Sequence, residues 1–184
     1  MTNCPFESID EIDDLNTVDE YNTARAAGLS EHDALEAVLR YSRDNARTPV
    51  QWNDSRQAGF TTGSPWLRLN PNYRQINVAV QDKDPDSVLN FYRALAALRK
   101  NPAYQETIVY GSFEPVMTEM ENLYAFYRRS EKQTLLVLGN CQAAKRTITL
   151  PEDGFHRILI NNYKELCREG CKISLKPFQA VILA

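Results

Sequence analysis

Apolar positions recur at three-to-four spacing in two short stretches at the front of the chain. Val18, Tyr21 and Ala24 follow Asn16 or Thr17 as helix caps and end at Gly28, and Ser30 with Asp33 reads as a capping-box variant ahead of Ala34, Leu35, Val38, Leu39 and Tyr41. Two short amphipathic helices are predicted, preceded by about fifteen acidic, irregular residues. From Ser42 to about Asp82 neither helical nor strand periodicity holds, and the segment carries Pro49, Pro65, Pro71, Gly59, Gly63 and both tryptophans, Trp52 and Trp66. An aperiodic segment of this length inside a folded domain is more often functional than decorative. Asp84-Pro85 then offers a cap with proline in the first helical turn, and Val88, Leu89, Tyr92, Leu95, Ala96 and Arg99 trace a helix stopped at Asn101-Pro102. Tyr92, Leu95 and Leu98 predict a heavily buried face for it.

Beyond Pro102 the period switches to two. Thr107–Tyr110, Phe113–Met117, Leu123–Arg129, Thr134–Leu138, Arg146–Leu150, Arg157–Ile160, Lys172–Leu175 and Phe178–Leu183 read as strands, punctuated by Gly111, Asn122, Asn140, Pro151-Glu152-Asp153-Gly154 and Gly170. Short strands with no helical stretch between them predict an antiparallel sandwich or barrel of roughly eighty residues. Tyr124, Phe126 and Tyr127 are read as core and cross-strand packing rather than as a sugar platform. The helices before residue 103 have faces to bury and no sheet of their own, so the front half either packs on the β domain or lacks a natural partner.

Composition narrows the class without naming it. The 184 residues are 43% hydrophobic and 24% charged with a net charge of −3, the profile of a folded globular protein. Lys and Arg are scattered, which gives nucleic acid no basic footprint. No apolar run approaches the roughly 20 residues of a membrane span, and the acidic front is unlike a signal peptide, so a cytoplasmic location without membrane contact is expected. Cys4, Cys141, Cys167 and Cys171 are read as reduced thiols. Cys167 and Cys171 are separated by three residues, and His32 and His156 are distant in sequence, so no zinc or other metal site is expected, and no cofactor.

The run Ser42-Arg43-Asp44-Asn45-Ala46-Arg47-Thr48-Pro49-Val50-Gln51-Trp52 resembles the SRDNARTPMQW stretch of oligo-1,6-glucosidases, dextran glucosidases and trehalose-6-phosphate hydrolases, with Val50 in place of the usual Met. Ala58-Gly59-Phe60-Thr61-Thr62-Gly63, Pro65-Trp66, Asn70-Pro71-Asn72-Tyr73 and Ile76-Asn77-Val78 continue the likeness in order, and Met1-Thr2-Asn3 through Phe6 resembles the stretch just past the eighth barrel strand. The β domain is similar more loosely, through Leu98-Arg99-Lys100, Leu136-Val137 and Lys176-Pro177-Phe178-Gln179-Ala180. The chain thus resembles the C-terminal part of an α-glucosidase of the α-amylase superfamily. That resemblance implies an α+β chain: residues 1–103 as the helical and long-loop remnant of the end of a (β/α)8 barrel, and residues 104–184 as an antiparallel β-sandwich domain.

Retaining glycoside hydrolysis needs two carboxyl groups about 5 to 5.5 Å apart. In the family these and a further aspartate lie on earlier barrel strands, with no counterpart found here, so no catalytic residue is assigned and the isolated chain is expected to be inactive. Glu7, Asp10, Asp44 and Asp54 show no neighbour pattern that would split their proton affinities, and Asp10, Asp13 and Asp14 read as a solvated acidic stretch. What the resemblance does imply is substrate recognition. Arg47 would reach the non-reducing-end glucose, where a planar guanidinium can donate to hydroxyls and pair with a carboxylate, while Arg43 and Asp44 would pair with each other or with barrel groups and shape the loop. Trp52, Phe60 and Trp66 are read as anchors that bury apolar area beneath the loop.

Two functions remain open at this level. One is a fragment of an intracellular exo-acting α-glucosidase, whose partners would be an α-glucoside oligosaccharide and the missing barrel segment, with self-association of the isolated chain. The other is a stand-alone non-catalytic module that binds carbohydrate or protein.

Overall fold

Gly28 ends the first helix where the sequence places it. Its positive φ of 96° lets its N–H reach the Arg25 carbonyl at 3.0 Å while Leu29 N–H bonds Ala24 O at 3.1 Å, the paired closure typical of a glycine-terminated helix. The computed structural model describes residues 2–151 and 153–184; Met1, and Glu152 of the turn expected at 151–154, lie outside them. The chain divides into two compact units, Met1–Pro85 and Asp86–Ala184.

The first unit holds α1 (Leu15–Ala26), α2 (Glu31–Leu39) and α3 (Val78–Lys83), with single 3-10 turns at Ile9–Glu11, Arg43–Ala46, Arg56–Gly59 and Pro71–Arg74. Helix α1 is capped at Asp14, so Asn16 and Thr17 lie inside its first turn rather than before it. The expected apolar stripe of Val18, Tyr21 and Ala24 is only half-buried, and the one fully buried residue of the helix is Thr17. Helix α2 does follow the sequence reading, with the Ser30 hydroxyl accepting from Asp33 N–H at 3.1 Å and donating to the Asp33 carboxylate at 2.7 Å, and with Ala34 and Val38 buried. Tyr41, expected on the same face, is exposed. A small apolar cluster of Cys4, Phe6 and Ile12, flanked by Ile9, Val18 and Leu39, joins the first residues to both helices. Helix α3 interrupts the segment expected to be irregular; Asn77 caps it by accepting from Val80 N–H at 2.9 Å.

The second unit opens with α4 (Val88–Lys100) and α5 (Gln105–Tyr110), followed by eight strands. Ser87, not Asp84, caps α4 by accepting from Asn90 N–H at 3.2 Å. Its expected heavily buried face is only half-buried at Leu95 and Leu98, with Tyr92 exposed, because α4 leans on α5 and β5 through part of its surface. The expected strand at 107–110 is instead α5. Its β-branched residues favour a strand, but tertiary partners fix the helix: Arg128 Nη2 donates to the last-turn carbonyls of Ile108 at 3.1 Å and Val109 at 3.3 Å, and the buried Thr107 hydroxyl meets Ser130 Oγ at 2.8 Å. A cation on unsatisfied C-terminal carbonyls is favourable by both hydrogen bonding and helix dipole.

The strands are β1 (Ser112–Pro115), β2 (Leu123–Arg129), β3 (Thr134–Asn140), β4 (Arg146–Thr149), β5 (Ile158–Asn161), β6 (Cys167–Glu169), β7 (Lys172–Leu175) and β8 (Ala180–Leu183). They form two antiparallel sheets, β1-β2-β3-β8-β5 and β4-β7-β6. Only β6 had no counterpart in the sequence reading; it is three residues long and pairs with β7 from Cys167↔Ser174 to Glu169↔Lys172. Alternate residues of each sheet, Ala125, Tyr127, Leu136, Leu138, Val181 and Leu183 from one and Ile148, Ile173 and Leu175 from the other, meet in a single core, which makes the pair of sheets a sandwich. Tyr127 stacks on Phe155 within it at 5.6 Å, whereas Phe126 and Tyr124 point to the other face and contact each other edge-on at 5.8 Å. Buried Gln179 ties its own β7–β8 loop to the β5–β6 loop: its amide donates to Asn161 Oδ1 at 2.8 Å and Glu165 O at 3.1 Å, and accepts from Lys176 N–H at 2.8 Å.

Gly111 sits where α5 turns into β1, and a Cβ there would lie 2.7 Å from Arg129 O and closer still to Thr107 O. Both neighbours are backbone and cannot move aside. Gly111→Ala is therefore expected to destabilise the chain by about 2 kcal/mol, read as a lowered midpoint in thermal or urea unfolding.

Candidate substrate-recognition loop

The segment from Ser42 to Asn77 has no hydrophobic period, and the structure shows that buried polar side chains shape it instead. Two carboxylates lie at its base. Asp14 is 2% exposed and Asp44 is fully buried. Asp14 accepts from the Arg43 backbone N–H at 3.1 Å, from Arg43 Nε at 2.9 Å, from Arg43 Nη2, and from the Thr17 hydroxyl at 2.9 Å. These donors, the Arg43 guanidinium foremost, hold the Asp14 carboxyl far below the usual carboxylate range against the opposing effect of burial. Asp44 Oδ2 accepts from the backbone N–H groups of Asp13 at 2.7 Å and Asp14 at 2.9 Å. Asn45 completes the triplet, accepting from Cys4 N–H at 3.1 Å and donating to Leu39 O at 2.8 Å.

Arg43 and Asp44 thus both reach the Asp13–Asp14 stretch, and Asn45 reaches Cys4 and Leu39. Arg43 and Asp44, expected to pair with each other or with barrel groups, make side-chain hydrogen bonds with residues 13 and 14. Asp14, read as part of a solvated stretch, is the buried partner that sequence reasoning missed; its spacing to Thr17 matches that of Ser30 to Asp33, which is the signal that could have found it. Arg68 adds a second tie, with Nη1 at 2.7 and 2.8 Å from the Glu11 carboxylate and Nη2 at 3.3 Å from Glu7. The Asn70 amide donates to Thr2 O and Thr2 Oγ1, both at 3.2 Å, and to Asn3 O at 3.0 Å, and the Gln51 amide donates to Asn72 Oδ1 at 2.9 Å and Ile76 O at 2.6 Å.

Arg47 ends the same 3-10 turn. Its backbone N–H bonds Asp44 O at 3.0 Å, and its guanidinium Nη1 lies 3.5 Å from Asp44 Oδ1 with the side chain 43% exposed. The aromatic residues do not anchor the loop from below as expected: Trp52, Phe60 and Trp66 are all exposed. Backbone bonds do that work, with Trp52 N–H and Asn53 N–H both reaching the carbonyl of buried Ala58 at 2.9 and 3.2 Å. Among the described residues no cluster of His, Cys, Asp or Glu is arranged to hold a metal ion, and no helix is long and apolar enough to cross a membrane. What the loop offers chemically is a half-exposed guanidinium on a rigid base, a donor of hydrogen bonds to hydroxyl or anionic oxygens.

Residues 9–111 match the family model for the alpha amylase catalytic domain, and residues 123–182 match that of the alpha-amylase SusG C-terminal domain. The chain belongs to the alpha-amylase family. Among its relatives, the oligo-1,6-glucosidase of Bacillus cereus is 38% identical over 186 residues, covering 99% of this chain and 33% of that protein. Two crystal structures match the fold along 100% of this chain and 33% of theirs: trehalose-6-phosphate hydrolase of Bacillus licheniformis, with a TM-score of 0.87 and 33% identity, and trehalulose synthase of Pseudomonas mesoacidophila, with 0.87 and 36%. The chain spans about a third of the length of these alpha-amylase relatives.

Removing the Asp14 carboxylate would leave the Thr17 hydroxyl and the Arg43 N–H without their buried acceptor. Asp14→Ala is expected to destabilise the chain by about 3 kcal/mol. Because the folded-state affinity of Asp14 for its proton is depressed, its contribution is fully present above the unfolded value of roughly 4 and fades as pH falls through the lower folded value. The stability gap between the wild-type chain and Asp14→Ala, measured by urea unfolding, should be constant from neutral pH to roughly pH 5 and shrink below roughly pH 4.

Proposed function

We propose that the chain supplies the C-terminal third of an intracellular, exo-acting, retaining α-glucosidase that releases glucose from the non-reducing ends of short α-glucosides, α-1,6-linked ones foremost. Residues 1–103 would follow the eighth strand of the catalytic barrel and residues 104–184 would form the β domain behind it. The catalytic carboxylates would come from the preceding barrel, leaving this chain inactive alone. The observation that carries the reading is Arg47: a guanidinium seated beside a buried carboxylate yet 43% exposed, in a loop whose other motif arginine, Arg43, is committed to Asp14. Family membership and the likeness to an oligo-1,6-glucosidase support it.

In this reading Arg47 donates to hydroxyls of the terminal glucose, while Arg43 and Asp44 hold the loop that carries it. Hydrogen bonds from a fixed ionised donor to sugar hydroxyls contribute roughly 1.5 to 3 kcal/mol each, so losing more than one lowers catalytic efficiency by orders of magnitude. Joined to its upstream barrel, the protein should hydrolyse a chromogenic α-glucoside, and Arg47→Ala should lower kcat/KM at least a hundredfold. Near-normal activity would remove Arg47 from the site, and measurable isomaltose or maltose binding to the 184-residue chain by calorimetry would favour a stand-alone binding module instead.

Exposed Val88 and Tyr92 on α4 and exposed Phe113 and Tyr124 in the β domain are the kind of apolar surface that drives association when a natural partner is absent. The isolated chain is expected to self-associate in light scattering, and a monodisperse monomer would count against a missing barrel.

A further inference from the structure

We propose that Asp44 is the positioning residue that sets the Arg47 guanidinium for sugar binding, an inference that rests on the reading of Arg47 given above. Asp44 is fully buried and therefore cannot itself meet a sugar. Its two carboxylate oxygens have separate tasks. Oδ2 accepts from the Asp13 and Asp14 backbone N–H groups at 2.7 and 2.9 Å. Oδ1 is buried, accepts no hydrogen bond among the described residues, and lies 3.5 Å from Arg47 Nη1.

A buried anionic oxygen with an unused lone pair is costly, and a cation beside it offsets that cost. Two arginines flank Asp44 in sequence, but Arg43 spends its Nε and Nη2 donors on Asp14. The Arg43 charge also acts on Asp44, but the guanidinium that faces Oδ1 itself, at 3.5 Å, is that of Arg47. The intervening turn supplies the geometry: Arg47 N–H and Thr48 N–H both close on Asp44 O, at 3.0 and 3.1 Å, which brings side chains three residues apart to one side. Held this way, Arg47 presents one edge of its fork inward and keeps further donors for solvent. A long side chain free in solution loses rotamer entropy when it is immobilised; seating it in advance spares the substrate that loss.

Asp44→Asn separates this role from a structural one. The amide oxygen can still accept from the Asp13 and Asp14 N–H groups, while the amide NH2 then faces Arg47 and repels it. In the 184-residue chain, nitrogen-15 NMR should show slow rotation of the Arg47 guanidinium, lost in Asp44→Asn with an unfolding midpoint little changed. Fast rotation in the wild-type chain, or a guanidinium unmoved by Asp44→Asn, would overturn the proposal. With the barrel restored, Asp44→Asn should raise KM at least tenfold with a smaller effect on kcat, and adding Arg47→Ala to it should cost far less than Arg47→Ala alone, since coupled residues are non-additive. Full additivity would overturn the positioning role. If instead the NMR result holds and Arg47→Ala leaves hydrolysis unchanged, the seating of Arg47 stands and the sugar-binding reading beneath it falls.

Discussion

Burying a carboxylate is unfavourable unless its oxygens are met by donors, and the first unit of this chain buries two of them side by side. Three of their four oxygens meet that requirement from the Asp13–Asp14 and Arg43 backbone, the Arg43 guanidinium and the Thr17 hydroxyl, while Asp44 Oδ1 accepts no hydrogen bond among the described residues. The result is a cross-link between the entry to α1 and the first turn of a segment with no hydrophobic pattern to hold it. The other ties, Asn45 to Cys4 and Leu39, Arg68 to Glu7 and Glu11, and Asn70 to Thr2 and Asn3, run between the same two stretches of chain. The N-terminal residues and the loop are therefore one polar structure, with a small apolar cluster beside it, rather than a core with a loop laid over it. Such a structure is sensitive to single changes, because each lost partner strands a buried group.

That construction gives the Arg-Asp-Asn-Ala-Arg spacing a physical reason. The first arginine and the aspartate both secure the Asp13–Asp14 stretch, the asparagine secures Cys4 and Leu39, and the turn they form fixes the backbone N–H of the second arginine 3.0 Å from Asp44 O. Replacing Arg43 by lysine would lose the fork it uses on Asp14. The two arginines are thus alike in chemistry and in exposure, with side chains 52% and 43% exposed, and differ in partner: Arg43 hydrogen-bonds Asp14, and Arg47 lies 3.5 Å from Asp44.

Much of this architecture is legible in the sequence, and the failures have identifiable causes. Helix α2 with its Ser30–Asp33 cap, the end of α1 at Gly28, the stop at Asn101-Pro102 and the two-residue period of the β domain all rest on local chemistry that sequence displays directly. Residues 107–110 were misread because Thr, Ile and Val favour strands locally, while the helix depends on Arg128 and Ser130, some twenty residues away. The Asp14–Arg43 pair spans 29 residues, and in a run of acidic residues the spacing of Asp14 to Thr17 is the one local sign of the carboxylate that is buried. Arg47 could be singled out because a long motif carries it, but its employment by Asp44 follows only from seeing which donors Arg43 has already spent. The tryptophans mislead in the opposite direction: large apolar rings suggest burial, yet the loop is fixed by backbone bonds to Ala58 and leaves them outside.

The β domain shows the complementary logic. Its inter-sheet core is closed by apolar side chains from both sheets, and its buried polar groups, Asn140 and Gln179, satisfy loops at the sandwich ends: the Asn140 amide donates to Ala144 O at 2.8 Å and Lys176 O at 2.9 Å. Nothing in that core depends on a partner. The outer face of the five-stranded sheet differs, since Phe126, Val137 and Ile182 alternate with core residues on the same strands and line a groove of about 400 Å³ with Leu95 and Leu98 of α4. Strands apolar on both faces are those of a sheet covered on both sides. In unit 2 the second cover is only begun by α4 and α5, whose own apolar residues remain half-exposed. The sandwich is thus closed on its inner face and only partly covered on its outer one. That division explains how a third of the length of its relatives can carry a closed β core while leaving its helices short of neighbours.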